Sequence, residues 1–172
     1  MIYFFYIFAG LLMFYLIYFV WLFNKTKVPF MGTRKKISDL ILKNTDLKNK
    51  KIVDLGSGIG DFLFSAEKQN PKRLVGVELS YLFYFFSKFR CYFKKSKVVF
   101  LKKNFFEFDI GDFDVVYFFL TNRVISKVQE KILKEAKKGA LIISLDCELT
   151  DIKACKVLKT DIGSRIYFYL II

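Results

Sequence analysis

The chain has 172 residues, a formal net charge of +13 from 29 Lys and Arg against 16 Asp and Glu, and 54% hydrophobic residues. This length predicts one domain of ordinary size with a short appendage. His is absent, which excludes His-based triads, His-ligated metal sites and a His general base, and no metal site is expected.

The excess of positive charge has two explanations. Clustered cations gain free energy when they neutralise phosphate groups, so a polyanion or an anionic membrane surface is a candidate partner. Lys far outnumbers Arg, however, and Phe, Ile, Tyr and Asn are abundant, as a low-GC genome dictates for any protein. We favour this second explanation. Cys91, Cys147 and Cys155 show no metal-ligand spacing and are expected to be buried or bystander thiols in a reducing compartment.

Residues 1–23 carry no charged side chain and predict one transmembrane helix. An α-helix of that length rises about 34 Å, which is enough to cross a bilayer. Tyr3, Tyr6, Tyr18 and Trp21 fit the aromatic belts at its two ends. A signal peptide would need a positive leading segment and a small-residue cleavage site, and a buried core helix would not be apolar on every face.

Five cations follow this stretch: Lys25, Lys27, Arg34, Lys35 and Lys36. By the positive-inside tendency they keep the rest of the chain in the cytoplasm, as a single-pass membrane protein. Residues 24–50 are expected to form a linker and a helix that covers the cofactor, and residues 51–172 the main domain.

Strands and helices alternate through most of the chain, which predicts an α/β fold with a parallel sheet. Gly139 is expected to cap the helix before it. The segment between the fifth and sixth strands is too short for a crossover helix, so a hairpin with its turn at 161–163 should close the sheet. The predicted strands are residues 51–55, 73–78, 98–101, 114–119, 140–145, 155–159 and 164–171, and the predicted helices are residues 33–43, 62–70, 81–93 and 124–137.

A glycine loop carries the chemistry. Gly56, Gly58 and Gly60 follow the first predicted strand and precede a helix, where open α/β sheets bind ligands. Asp54 precedes the loop, and Glu78 ends the next strand, where a carboxylate accepts hydrogen bonds from both ribose hydroxyls of a nucleoside.

Two alternatives to this interpretation remain. A dinucleotide site needs a third glycine where Asp61 stands, and the carboxylate would repel a pyrophosphate but not a sulfonium. The other alternative is an ordinary tight turn with Glu78 exposed to solvent.

The segment DLGSGIGDF at 54–62, followed by GVELS at 76–80, resembles motifs I and post-I of class I S-adenosylmethionine-dependent methyltransferases. Within that superfamily the chain is similar to the short, membrane-anchored protein lysine methyltransferases whose eukaryotic members are mitochondrial. These place a Pro-Phe-x-x-Thr segment after a hydrophobic helix, as in Pro29-Phe30-Met31-Gly32-Thr33, and they have a shortened C-terminal half.

The resemblance implies a Rossmann-like sheet with an antiparallel C-terminal hairpin and S-adenosyl-L-methionine as the cofactor. Thr33 and the preceding segment would lie over the cofactor, and Asn104 would meet the adenine amino group where relatives have Asp. The cofactor-binding residues that it implies are Asp54, Gly56, Ser57, Gly58, Gly60, Glu78 and Asn104.

The acceptor side is expected to lie after the fourth strand. That strand lacks the Pro-Pro-Tyr segment of the adenine and glutamine N-methyltransferases, and its end, residues 118–122, would line the acceptor site. Thr33 and Asn122 are the candidate catalytic residues, although Asn122 fits a helix N-cap equally well and Phe118 and Phe119 fit the core. The aromatic residues of the 81–93 helix are expected to be core rather than a substrate cage.

The leading hypothesis is a protein lysine N-methyltransferase that acts on a membrane or membrane-proximal protein. A tether raises the effective concentration of such substrates without a new contact surface. An RNA or small-molecule methyltransferase is the second hypothesis, since fold does not fix function. A non-catalytic module that binds an adenosine ligand is the third.

Overall fold

The computed structural model describes residues 2–26 and 32–172. Residues 29–31 of the Pro-Phe-x-x-Thr segment therefore lie outside the described residues. Two short 3-10 helices, Glu67–Gln69 and Phe105–Glu107, accompany the main elements. Those elements are α1 Ile2–Thr26, α2 Lys35–Lys43, β1 Lys51–Leu55, α3 Asp61–Ala66, β2 Arg73–Glu78, α4 Tyr81–Lys94, β3 Val99–Lys102, β4 Val115–Phe118, α5 Asn122–Glu135, β5 Leu141–Leu145, β6 Lys156–Lys159 and β7 Arg165–Leu170.

The strands form one seven-stranded sheet in the order β3-β2-β1-β4-β5-β7-β6. The first five strands are parallel, whereas β7 is antiparallel to both β5 and β6. The Thr160 N–H donates to the Ser164 carbonyl across 2.8 Å and closes the β6–β7 turn. These observations confirm the predicted α/β sheet and its C-terminal hairpin.

Helices cover both faces of the sheet. They are needed on both because the strands are nearly continuous apolar runs, and successive side chains of a strand point to opposite faces. On one face, Ile52 of β1 packs with Ile41 of α2 and Phe62 of α3. On the other face, Val53 packs with Val128 and the rest of the inward side of α5. The site residues at the ends of the strands are therefore held between two packed layers.

The prediction that Gly139 caps α5 is wrong. The helix ends at Glu135, and Ala136 already has extended backbone angles, φ −67° and ψ 132°. Gly139, with φ +81°, lies in the turn before β5, where its N–H donates to the Ile171 carbonyl across 2.7 Å. Gly139 thus joins the turn to the segment that follows β7 and does not cap the helix.

The prediction that the repeating aromatics of α4 belong to the core is also wrong. Tyr81, Phe85, Phe89 and Phe93 are 59–67% exposed. The helix instead packs through Tyr84 and Cys91, which contact the core, and through the fully buried Ser87. The small Ser87 side chain lets this side of α4 lie close to the sheet, and the repeating aromatic residues lie on the outer side of the helix.

Helix α1 extends to Thr26, beyond the predicted residue 23. Its side chains are described at residues 2–18 and 20, and the large apolar ones exposed there have 41–82% of their surface accessible. Among the residues described, no helix is both long and apolar enough to cross a membrane, so the predicted span finds no support there.

Candidate cofactor site and acceptor cavity

The loop between β1 and α3 is built on backbone contacts. The N–H groups of Gly56 and Ser57 donate to the Val77 carbonyl across 2.9 and 3.1 Å, so the loop is fastened to β2. Gly56, Gly58 and Gly60 have φ values of +79°, +54° and +83°, a region that other residues rarely adopt. The glycines are therefore required by the turn itself.

The Glu78 side chain holds the loop from the neighbouring strand. Its Oε2 accepts from the Gly58 N–H at 2.9 Å and its Oε1 accepts from the Ser80 N–H at 2.7 Å. The residue is 8% exposed, and its burial raises the pKa, although the backbone N–H groups partly offset that rise. Each carboxylate oxygen offers about two lone pairs, so both can accept one further hydrogen bond.

Asp54 lies one strand away and is 4% exposed. Its neighbours in the sheet are Gly76 of β2 and Tyr117 of β4. Burial, followed by the charges of Glu78 and Asp61, raises the Asp54 pKa well above its ordinary value of 3.8. A buried carboxylate with a perturbed pKa beside a glycine loop is typical of a functional site.

This raised pKa predicts a pH dependence of stability. Between the unfolded and the folded pKa of Asp54, the folded protein holds the extra proton, so its free energy of unfolding decreases as pH rises through that window. Asp54→Asn removes this titration. We expect the unliganded wild type to lose more stability than the variant as pH rises above the ordinary Asp pKa of 3.8, measured by urea unfolding. Parallel pH profiles of the two proteins would contradict the assignment.

Asp61, at the first position of α3, is paired with Arg90 of α4. The guanidinium lies 2.8 Å from Asp61 Oδ1 and also donates to the Ile59 carbonyl across 2.7 Å. Arg90 further lies over the Phe64 ring, 4.9 Å from its centroid. Sequence analysis could not predict this role of Arg90, because its contact joins residues 29 positions apart.

Thr33 lies against the end of β4. Its hydroxyl and that of Tyr117 are 2.7 Å apart, and both residues are buried. The Tyr117 ring stacks on Phe62, with centroids 3.9 Å apart. Burial and the charge of Asp54 raise the Tyr117 pKa well above 10. The predicted catalytic Thr33 is thus hydrogen-bonded to a neutral, enclosed tyrosine that the sequence analysis missed.

Tyr117→Phe should destabilise the protein by about 1–3 kcal/mol, because the buried Thr33 hydroxyl loses its partner. Thr33→Val in the same background should cost little more, since nothing polar then remains unpaired. Urea unfolding of both single variants and the double variant measures the coupling. Additive losses would mean that the two hydroxyls do not depend on each other.

Asn104 and Ser57 are two further residues predicted to bind the cofactor. Asn104 caps the short helix Phe105–Glu107: its Oδ1 accepts from the Phe106 N–H at 3.1 Å, and its amide donates to Glu107 at 2.9 Å. The Ser57 hydroxyl is buried and has no hydrogen-bond partner among the described residues. That orphaned hydroxyl in the glycine loop is the kind of group that a bound ligand completes.

The structure places the residues of the predicted acceptor segment, 118–122, in different environments. Phe118 and Leu120 are 0% and 2% exposed and belong to the core, because β4 lies in the middle of the sheet. Asn122 is exposed as the first residue of α5, so its alternative role as N-cap is wrong; Thr121 holds that position. The Asn122 Oδ1 accepts from the Cys147 thiol at 3.2 Å.

Phe119, in contrast to Phe118 and Leu120, is only partly buried. It lines a cavity of about 330 Å³ between the start of the domain, the end of β4 and the β6–β7 turn. That volume is at the lower end of the range for small-molecule pockets. The sequence could not predict it, since its walls come from distant parts of the chain: Gly32, Arg34, Ile37, Phe119, Ile162 and Ser164.

Comparisons with known proteins show that the chain is similar to methyltransferases. Residues 54–156 match the ANTKMT methyltransferase domain. A protein-lysine N-methyltransferase from Saccharolobus islandicus is 31% identical over 156 residues, which cover 84% of this chain and 94% of that protein. A putative protein N5-glutamine methyltransferase from Methanocaldococcus jannaschii is 32% identical over 82 residues, 47% of this chain and 42% of that protein.

The fold also has solved counterparts. An RNA methyltransferase from Salinibacter ruber, in complex with S-adenosyl-L-homocysteine, superimposes with a TM-score of 0.77 at 23% identity. The match covers 82% of this chain and 94% of that one.

The glycine loop and the buried carboxylate of the next strand define, with these matches, a class I S-adenosylmethionine-dependent methyltransferase. Within that class the chain belongs to the family of the ANTKMT methyltransferase domain.

The residues present fit S-adenosylmethionine. Glu78 retains acceptor capacity for two ribose hydroxyls, and the Ser57 hydroxyl lacks a partner among the described residues. Asp54 and Glu78 are buried carboxyl groups whose ionised form a cationic ligand would favour. When bound, the cofactor would supply a sulfonium-linked methyl group for in-line displacement by an acceptor nucleophile, with S-adenosylhomocysteine as the leaving group.

Proposed function

We propose that this methyltransferase modifies lysine side chains of proteins at a membrane. The observation that carries the proposal is the relative named protein-lysine N-methyltransferase, to which the chain aligns over 84% of its length. The family match over residues 54–156 supports methyl transfer as the reaction.

The cavity beside Phe119 suits a slender acceptor. Phe119, Ile37 and Ile162 offer apolar surface to the methylene chain of a lysine, and Ser164 offers a hydroxyl. The Ser164 hydroxyl donates to Asp146 Oδ2 across 3.0 Å, which places a carboxylate beside the cavity. In this proposal, Asn122, the first residue of α5, orients the amine, and Thr33 positions Tyr117 through the contact between their hydroxyls.

We further propose that α1 tethers the enzyme to a membrane, with the catalytic domain in the cytoplasm. Residues 1–23 contain no charged side chain, and the described apolar side chains of α1 are exposed. Cations at Lys25, Lys27 and Arg34 follow, as the positive-inside tendency requires. Such a tether raises the local concentration of membrane proteins as substrates.

The test is methyl transfer from radiolabelled S-adenosylmethionine by the full chain in nanodiscs. Three acceptors are compared: detergent-extracted membrane proteins, soluble proteins and total RNA from the same cells. We expect label in membrane proteins, at lysine after digestion and mass spectrometry. Label released by ribonuclease, or found at glutamine, would contradict the proposal.

Phe119→Ala supplies the matched probe of the cavity, because the side chain lines it and the residue is not part of the glycine loop. We expect the KM for the protein acceptor to increase by about tenfold while cofactor affinity stays unchanged. Leu133→Ala, an exposed residue of α5 on the opposite face, serves as the control.

A further inference from the structure

The outer side of α4 carries a dense aromatic patch. Phe85, Phe86, Phe89, Tyr92 and Phe93 are 52–79% exposed, and we name them the α4 aromatic face. At about 100° per residue they cover about one third of the helix circumference. A groove of about 610 Å³ runs along this face and is lined by Leu82, Phe85, Phe86, Lys88 and Phe89.

Such a surface calls for a partner. Soluble monomers rarely expose contiguous apolar patches larger than a few hundred Å². The opposite side of α4, through Tyr84 and Ser87, already provides its packing on the sheet, so the aromatic face contributes nothing to that packing. Within the part of the chain that the structure describes, these rings stay open to the surroundings.

The segment that contains the α4 aromatic face carries charge of one sign, although Asp61 of α3 pairs with its Arg90. Between Glu78 and Glu107 the sequence has seven Lys and Arg residues and no Asp or Glu. Lys88, Lys94 and Lys95 are exposed on or beside the face. Lys102 lies over the Tyr81 ring, 3.9 Å from its centroid, at the N-terminal end of the helix. Aromatic rings bordered by lysines are typical of helices that lie in an anionic lipid interface.

The α4 aromatic face also begins beside α1. The Tyr81 N–H, at the first position of α4, donates to the Tyr18 hydroxyl across 3.2 Å. The described apolar side chains of α1 are themselves exposed, so two apolar surfaces meet at this contact.

We propose that the α4 aromatic face docks on an anionic lipid bilayer, with its rings among the headgroups and its lysines against lipid phosphates. Glu78 and Ser80 directly precede α4, so this contact would hold the cofactor site close to the membrane surface. The proposal does not depend on which acceptor is methylated. Only a second point of attachment to the membrane, through α1, depends on the tether proposed above.

The test uses tryptophan as a depth probe in the full chain. The sequence has a single tryptophan, Trp21, so Trp21→Phe with Phe89→Trp places the only indole on α4. The matched control is Trp21→Phe with Leu133→Trp, because Leu133 is 54% exposed on α5, which packs on the opposite face of the sheet. Each protein is reconstituted into phosphatidylserine-containing vesicles with or without brominated acyl chains.

We expect brominated lipid to reduce the emission of the indole at position 89 by about half, and that at position 133 by little. Equal quenching at the two positions, or none at position 89, overturns the proposal. A blue-shifted but unquenched indole at position 89, in particles that contain two chains, assigns the face to a second copy and also overturns it. Wild-type Trp21 reports on α1 separately: if it stays unquenched while position 89 is quenched, the tether fails and the docking face stands.

Discussion

Glu78→Ala is expected to lower the affinity for S-adenosylmethionine by at least about a hundredfold, because hydrogen bonds to a charged group contribute about 1.5–3 kcal/mol each. The substitution removes the acceptor for ribose hydroxyls and also the acceptors of the Gly58 and Ser80 N–H groups. The glycine loop therefore loses the side-chain bond at Gly58 together with its ligand contact, although the backbone bonds to the Val77 carbonyl remain. Isothermal titration of the full chain measures the effect.

The product S-adenosylhomocysteine, which lacks the sulfonium charge, separates two roles of Glu78. If the carboxylate acts through hydrogen bonds, the variant weakens both ligands equally, and if it acts through charge, only the cationic ligand is affected. Glu130→Ala, an exposed carboxylate of α5, is the matched control and should bind like the wild type. Unchanged affinity in a folded Glu78→Ala protein would remove Glu78 from the site.

The parts of the site that sequence predicted are those set by local chemistry. The Gly56–Gly60 turn needs positive φ values that glycine supplies, and Glu78 ends a strand whose neighbour is set by the βαβ connection. A short stretch of chain thus contains both the turn and its partner. The sheet and the C-terminal hairpin were predictable for the same reason, since their turns and apolar runs are visible residue by residue.

The parts that sequence missed depend on contacts between distant residues. Thr33 meets Tyr117 across 84 positions, and periodicity cannot pair them. The same limit explains the error on α4. Aromatic spacing showed that the helix has an apolar face, but the sheet accepts the side with the small Ser87 instead. Which face packs is decided by shape at β2 and β3, which the helix sequence does not contain.

Gly76→Ala is expected to destabilise the protein by about 1–3 kcal/mol, the usual cost of overpacking a core. A Cβ at Gly76 would lie 2.7 Å from Phe100 Cδ1 and 2.7 Å from the Ser57 hydroxyl. The Phe100 ring also lies against Gly60, so one side chain of β3 fills the space left by two glycines. Chemical unfolding measures the loss, and the cofactor affinity should decrease with it because Ser57 belongs to the loop.

Phe100→Leu in the Gly76→Ala background separates the two neighbours of the new methyl group. Shortening the ring relieves one contact and leaves the other, so stability should recover by at least about half the loss, whereas cofactor affinity should stay low. Recovery of both would show that Phe100 alone transmits the change to the loop. Recovery of neither would mean that Gly76 is required for another reason.

Gly139→Ala is the matched control for a glycine whose Cβ meets no atom within 4 Å, and its cost comes only from its φ of +81°. Gly76 has no such φ, so any larger loss there measures close packing beneath the cofactor loop.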